Sequence, residues 1–131
     1  MSLKIFNFKY LVVNTGYTGR LVKRLPELTE LLAENLEEEN PIVFIEDTIW
    51  GTGLVTVSGE SDEIERIRKA VPLDGNGGVI VLRCDSLSRA MGAVEVLMNR
   101  PYCAFFNFGA LYQMELIDGE ILVMTFDCES G

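Results

Sequence analysis

The sequence predicts one α/β domain spanning residues 1–131, with the element order βαββαβα and a β-rich extension after it. Three observations predict it. Runs of strand formers alternate with stretches of helical periodicity over the first hundred residues. Nearly every boundary carries Pro, Gly, Asn or Asp, the residues that stop or turn a chain. The length of 131 residues, with 48% hydrophobic and 24% charged side chains, suits one core rather than two and is wrong for a disordered chain.

Residues 4–13 place Phe6, Phe8, Tyr10 and Val12 at period two, joined at the end by Leu11 and Val13, which predicts a strand buried on both faces where it finishes. Asn14-Thr15-Gly16 closes it with turn chemistry. Residues 17–25 predict a separate helical turn, and a better helix starts at Pro26, where the missing N–H costs nothing. Leu28, Leu31, Leu32 and Leu36 form its apolar stripe, and Asn40-Pro41 ends it. PIVFIE predicts a central strand, Thr48 to Gly53 a loop, and GLVTVSG a second strand.

Ser61 is the expected cap of a short helix whose buried face is Ile64, Ile67 and Val71, with Asp62 and Glu63 in its favourable first turn. Asp62, Glu63 and Glu65 read as solvated helix charges. After the glycine-rich turn at 74–78, VIVLRC predicts a strand. Asp85 or Ser86 then caps a helix to Arg100 that is apolar at Leu87, Ala90, Met91, Val94, Leu97 and Met98. The clearest local signal lies near the end: YQMELI and EILVMTF flank Asp118-Gly119, which predicts a type I′ hairpin because both residues tolerate positive φ.

The chain has no histidine, which excludes Ser–His–Asp and Cys–His nucleophile pairs and histidine metal sites. Cys84, Cys103 and Cys128 form no CxxC, and an odd number cannot all pair within one chain; they read as small buried residues in a reducing compartment. No phosphate-loop motif occurs, and Gly75, Gly77 and Gly78 precede a strand where a phosphate loop would need a helix. The expectation is a non-enzymatic protein with no catalytic residue, no metal and no cofactor, a small metabolic enzyme or ligand-binding domain being the alternative, whose acid or base would have to be Asp, Glu, Lys, Cys or Tyr. The N-terminal stretch is too short and polar for a signal peptide, and no apolar run reaches the roughly 20 residues of a membrane span, so a soluble intracellular protein without membrane contact is expected.

Charge is unevenly distributed. Lys+Arg total 11 against 20 Asp+Glu, a net charge of −9, which opposes general nucleic-acid binding. Residues 1–24 nevertheless hold bases and no acid, whereas residues 27–65 hold twelve acids and no base. Lys9, Arg20, Lys23 and Arg24 are therefore the candidate contact for RNA or an acidic partner. Thr15-Gly16, at a strand end ahead of a helix, is the candidate contact for a small anion. Hydrophobic surplus gives a third candidate: Met91, Val94, Met98, Phe105, Phe106 and Phe108 mark an expected docking or dimer surface, a homodimer being the commonest closed assembly.

The order βαββαβα, from FNFKYLVV through SLSRAMGAVEVLMNR, resembles a BRCT-type domain. That resemblance implies a largely parallel central sheet flanked by helices and a role in protein recognition. Thr15-Gly16 looks like the Ser/Thr-Gly of phosphopeptide-binding members and implies an adaptor for phosphorylated or acidic partners. The family's phosphate-binding lysine near the start of the second helix has no counterpart, since SDEIERIRKA opens on acids and carries Lys69 near its end.

Over its whole length, through IFNFKYLVVNTGYTG, PIVFIEDTIWGTG and YCAFFNFGALY, the chain also resembles the small assembly and packaging cofactors of cystoviruses, bacteriophages with segmented double-stranded RNA genomes. The resemblance implies a procapsid component in the virion inner core, present in the host bacterial cytoplasm during assembly. It would accompany the shell protein, the RNA polymerase and the packaging motor, and support genome packaging and RNA synthesis without an enzymatic site. Any RNA contact would be weak.

Overall fold

The computed structural model describes residues 7–15, 18–47, 53–71, 78–99, 102 and 107–129. Within them run β1 (Tyr10–Asn14), α1 (Gly19–Lys23), α2 (Leu25–Leu36), β2 (Ile42–Asp47), β3 (Gly53–Thr56), α3 (Ser61–Ala70), β4 (Gly78–Arg83), α4 (Leu87–Leu97), β5 (Asn107–Ile117) and β6 (Ile121–Glu129). The expected order of strands and helices is thus observed, with the first helical region broken into α1 and α2 just ahead of Pro26. None of the described helices is long and apolar enough to cross a membrane.

The sheet corrects the parallel architecture that the resemblance implied. Its six strands lie in the order β3-β2-β4-β1-β6-β5. Only β1 with β6 is parallel, and the other four pairings are antiparallel. The domain is a mixed α/β fold. β4 inserts between β1 and β2 and runs against both. The continuous apolar runs in β1, β2 and β4 have a different cause: helices cover both faces of the sheet, so both side-chain sets are buried. The C-terminal hairpin is no appendage, because β6 pairs with β1 and carries the sheet outward to β5.

Each face has its own core. On one side α1, α2 and α4 pack Leu21, Leu28, Leu32, Leu36, Ala90, Ala93, Val94 and Leu97 on Leu11, Val13, Ile80, Leu82, Leu122 and Met124. On the other, α3 sets Ile64 and Ile67 on Val12, Phe44, Val79, Val81 and Val123. An irregularity in β2 between Ile42 and Phe44 lets Ile42 and Ile45 face the first core while Val43 and Phe44 face the second.

Three local details of the helices and the first strand differ from the sequence expectation. Leu31, expected in the α2 stripe, is 40% exposed, while Leu28, Leu32 and Leu36 are buried. Ser61 is the first residue of α3 and not its cap; Glu60 caps the helix in a reciprocal box with Glu63. The first strand begins at Tyr10, since residues 7–9 are not strand and 1–6 lie outside the described residues. Ser86 caps α4 by accepting from the Arg89 N–H at 3.2 Å. Asp118 (φ 52°) and Gly119 (φ 72°) both take the left-handed conformation that a type I′ turn requires.

Candidate functional site

Of the residues expected on an apolar docking surface, the side chains of Met91, Val94 and Met98 are described, all three in α4 or at its end. α4 joins β4 to β5, which β1 and β6 separate in the sheet, so the helix crosses over those two strands. One side of α4 meets α2: Asn35 Nδ2 donates to the Arg89 carbonyl at 3.2 Å, and the missing side chain of Gly92 leaves room for Asn35. Met91 and Met98 are two turns apart and share a different side. Met98 packs partly buried on the three-helix core, as does Leu116 of β5, while Met91 is 44% exposed. Met114 faces the same side of the sheet, because it stands opposite the core residue Met124, and it is 39% exposed.

Met91, Met98, Met114 and Leu116 are thus incompletely buried apolar side chains on the face of the sheet that carries α4, here called the shelf. Flexible, polarisable methionine side chains suit a surface that must adapt to a partner. Val94, expected on this surface, is a core residue at 1% exposure and cannot form a contact there. Phe105 and Phe106 lie outside the described residues, and only the backbone of Phe108 is described, paired with Cys128 in the β5–β6 ladder. Cys103 and Trp50 are likewise outside. Cys84 is buried as expected; burial pushes its thiol pKa up, which disfavours the thiolate and hence reactivity.

The proposed basic contact does not form one patch. Lys9 precedes β1, whereas Arg20, Lys23 and Arg24 follow its opposite end, a strand length of roughly 15 Å away. Lys9 Nζ is 4.0 Å from Glu120, and Arg24 is 3.6 Å from Glu27. Arg20 and Lys23 lie together in the last turn of α1. Thr15 is buried, and its hydroxyl donates to the Gly78 carbonyl at 3.3 Å; Gly16 lies outside the described residues. Thr18 Oγ1 donates to buried Asp47 at 3.2 Å, so an anion arriving beside Thr15 would meet a carboxylate.

A polar cluster that sequence reasoning missed ties α3 to the sheet. Glu63 accepts from Tyr10 Oη on one oxygen and from Arg83 Nη2 on the other, at 2.9 Å. Arg83 also donates to the Asn40 carbonyl at 2.6 Å and to Ser58 Oγ at 2.9 Å. Arg66 pairs with Glu120 and sits over the Tyr10 ring, 5.7 Å from its centre. A shallow cavity of about 360 Å³ opens between Tyr10, Arg66, Arg83 and the start of α3. Burial first, and the hydrogen bond to Glu63 second, push the Tyr10 phenol up to about 12, so it remains a donor. A weak signal existed in the sequence: Glu63 precedes Ile67 by four residues and so shares the buried side of the helix, and Arg83 continues the period of Val79 and Val81.

Among the described residues no group of three or more Cys, Asp or Glu side chains could hold a metal ion. No family model, curated protein or solved structure matches the chain.

Proposed function

We propose that the chain is a non-enzymatic accessory protein of a cystovirus-type inner core, acting through protein contacts that stabilise the assembling particle and support RNA packaging and synthesis. The observation that carries the contact role is the set of Met91, Met98, Met114 and Leu116, apolar side chains of α4 and β5 that the fold leaves partly uncovered. The viral context rests on the resemblance of IFNFKYLVVNTGYTG, PIVFIEDTIWGTG and YCAFFNFGALY. Its partners would be a second copy of the chain, the shell protein, the polymerase and the packaging motor. The chemistry of the polar groups supports the same reading: Glu63, Arg83, Arg66, Glu120 and Glu46 are engaged in ties between α3 and the sheet. The adaptor reading is less well supported, since Asp47 stands beside Thr18 where a phosphate would need a cation.

Mixing the protein with shell protein, polymerase and packaging motor during particle assembly tests the proposal. The parent protein should co-sediment with the particles, and the folded double variant Met91→Lys, Met114→Lys should remain in the supernatant. Equal incorporation of both would remove the shelf from the mechanism, and failure of the parent to enter particles would remove the viral reading.

A further inference from the structure

The face of the sheet opposite the methionine shelf is covered quite differently. On the shelf side three helices bury eight side chains in their core. On the other side the single helix α3 buries Ile64 and Ile67 within its span and Val71 at its C-terminal cap. Beneath it the register lines up one apolar row across four strands: Phe44 lies opposite Val81, Val81 opposite Val12, and Val12 opposite Val123. Three of these, Phe44, Val81 and Val12, have no solvent exposure.

Few apolar anchors are offset by charge. In the first turn of α3, Glu63 takes Tyr10 of β1 and Arg83 of β4. In the middle, Arg66 takes Glu120, in the turn between β5 and β6. Near the end, Arg68 Nε reaches Glu46 of β2 at 3.2 Å. Each of these ties runs through one glutamate, and the three glutamates span the helix from end to end. The charged and titratable groups facing them are few: Tyr10, Arg83, Arg66, Glu60 and Asp62 around Glu63, Lys9 and Arg66 around Glu120, and Arg68 against Glu46.

We propose that α3 is a charge-held lid that opens as a unit ahead of the rest of the fold, uncovering the Phe44–Val81–Val12–Val123 row, with Glu63, Glu120 and Glu46 as its latches. Local opening of a native protein occurs where few buried apolar contacts hold an element. Glu63 and Arg83 are both largely buried, so removing the charge of one leaves the other without its partner and acts strongly on opening, whereas Arg66 and Arg68 are half exposed and their pairs contribute less and are screened by salt.

Hydrogen exchange on the full chain, read segment by segment, tests the lid. In the parent, amides of 64–70 should exchange faster than those of β1, β4 and α4. Glu63→Gln keeps the side chain's shape and removes its charge; it should accelerate exchange in 64–70 by about ten-fold or more and leave β4 and α4 unchanged. Glu120→Gln and Glu46→Gln should each act in the same segment. Glu65→Gln, whose pairing with Lys69 stays within the helix, should change little. Raising salt on the parent should accelerate 64–70 selectively, a readout that needs no variant. If 64–70 exchanges together with β4 in the parent, or if salt and Glu63→Gln accelerate every segment equally, α3 is part of one cooperative unit and there is no lid.

Discussion

Met114 stands directly across the β5–β6 ladder from Met124, yet the first is 39% exposed and the second is fully buried. The edge of the core runs between these two side chains. Met124 of the inner strand belongs to the three-helix core, and Met114 of the outer strand lies at its edge.

That boundary sets opposite outcomes for two methionines of the same hairpin. Met124→Ala removes a buried side chain and leaves a cavity, so it should destabilise the fold by about 2–5 kcal/mol. Met114→Lys, with Met91→Lys, extends a polar head into solvent and should change stability by less than about 0.5 kcal/mol per site. Urea unfolding of both variants checks the difference. Sedimentation then checks the shelf: the parent is expected to self-associate at micromolar concentration, and Met91→Lys, Met114→Lys to sediment near the monomer mass of 14.6 kDa.

How much of this was legible in the sequence depends on the range of the interaction. The hairpin at Asp118-Gly119, the break before α2 and a cap at Asp85 or Ser86 are local, set by residues within one turn of each other, and are readable; the structure selects Ser86. Strand order was not. Val12 and Val81 are cross-strand partners 69 residues apart, and period-two burial says nothing about which strand lies beside which or in which direction. Leu31 shows another limit: its helical spacing fits the apolar stripe, but the reach of the neighbouring helix decides whether it is covered. Glu63 looked like a solvated first-turn acid because its partners, Tyr10 and Arg83, come from two distant strands.

Tyr10 should make the fold sensitive to alkali. Its folded pKa is raised to about 12 from an ordinary 10.0, so the unfolded chain releases the proton first. The stabilising contribution is complete below about pH 10 and is lost as pH rises toward 12. Ultraviolet titration of the phenols should show late ionisation that Tyr10→Phe reduces but does not abolish, because burial also raises the Tyr102 phenol. The same variant should flatten the fall in stability between pH 10 and 12. An unchanged late ionisation in Tyr10→Phe would assign it to a different tyrosine.

Gly78 is required by close approach. A Cβ there would lie 2.3 Å from Thr18 Cγ2 and 2.9 Å from the Thr18 backbone nitrogen, and the backbone cannot swing aside as a flexible side chain would. The position also places the Gly78 carbonyl, which accepts from both the Thr15 N–H and its hydroxyl. Gly78→Ala is therefore expected to cost about 1–3 kcal/mol from overpacking alone. Thr18→Ser, which removes the nearest clashing methyl, should recover part of that loss in the double variant. Thermal or urea unfolding of the two singles and the double measures the coupling, and strictly additive effects would place the strain elsewhere.

Any contact with RNA should be weaker than a four-residue basic patch would give. Lys9 lies at the far end of β1 from α1, and Arg20 and Lys23 share the last turn of that short helix, so the contact there comes to about two phosphates. Each phosphate neutralised on RNA contributes about −0.7 to −0.9 to the slope of log affinity against log salt, which predicts a slope of roughly −1.5. The net charge of −9 repels the rest of the strand, so binding should be measurable only at low salt. Arg20→Gln, Lys23→Gln should abolish it, whereas Lys9→Gln should leave it unchanged, because Lys9 acts on Glu120 at the opposite end of the strand. Fluorescence anisotropy with a short single-stranded RNA, taken from 20 to 200 mM salt, separates the two variants. A slope of −3 or steeper, or an equal loss from Lys9→Gln, would mean that RNA spans both ends of β1 and that the contact is a continuous surface instead of the tip of α1.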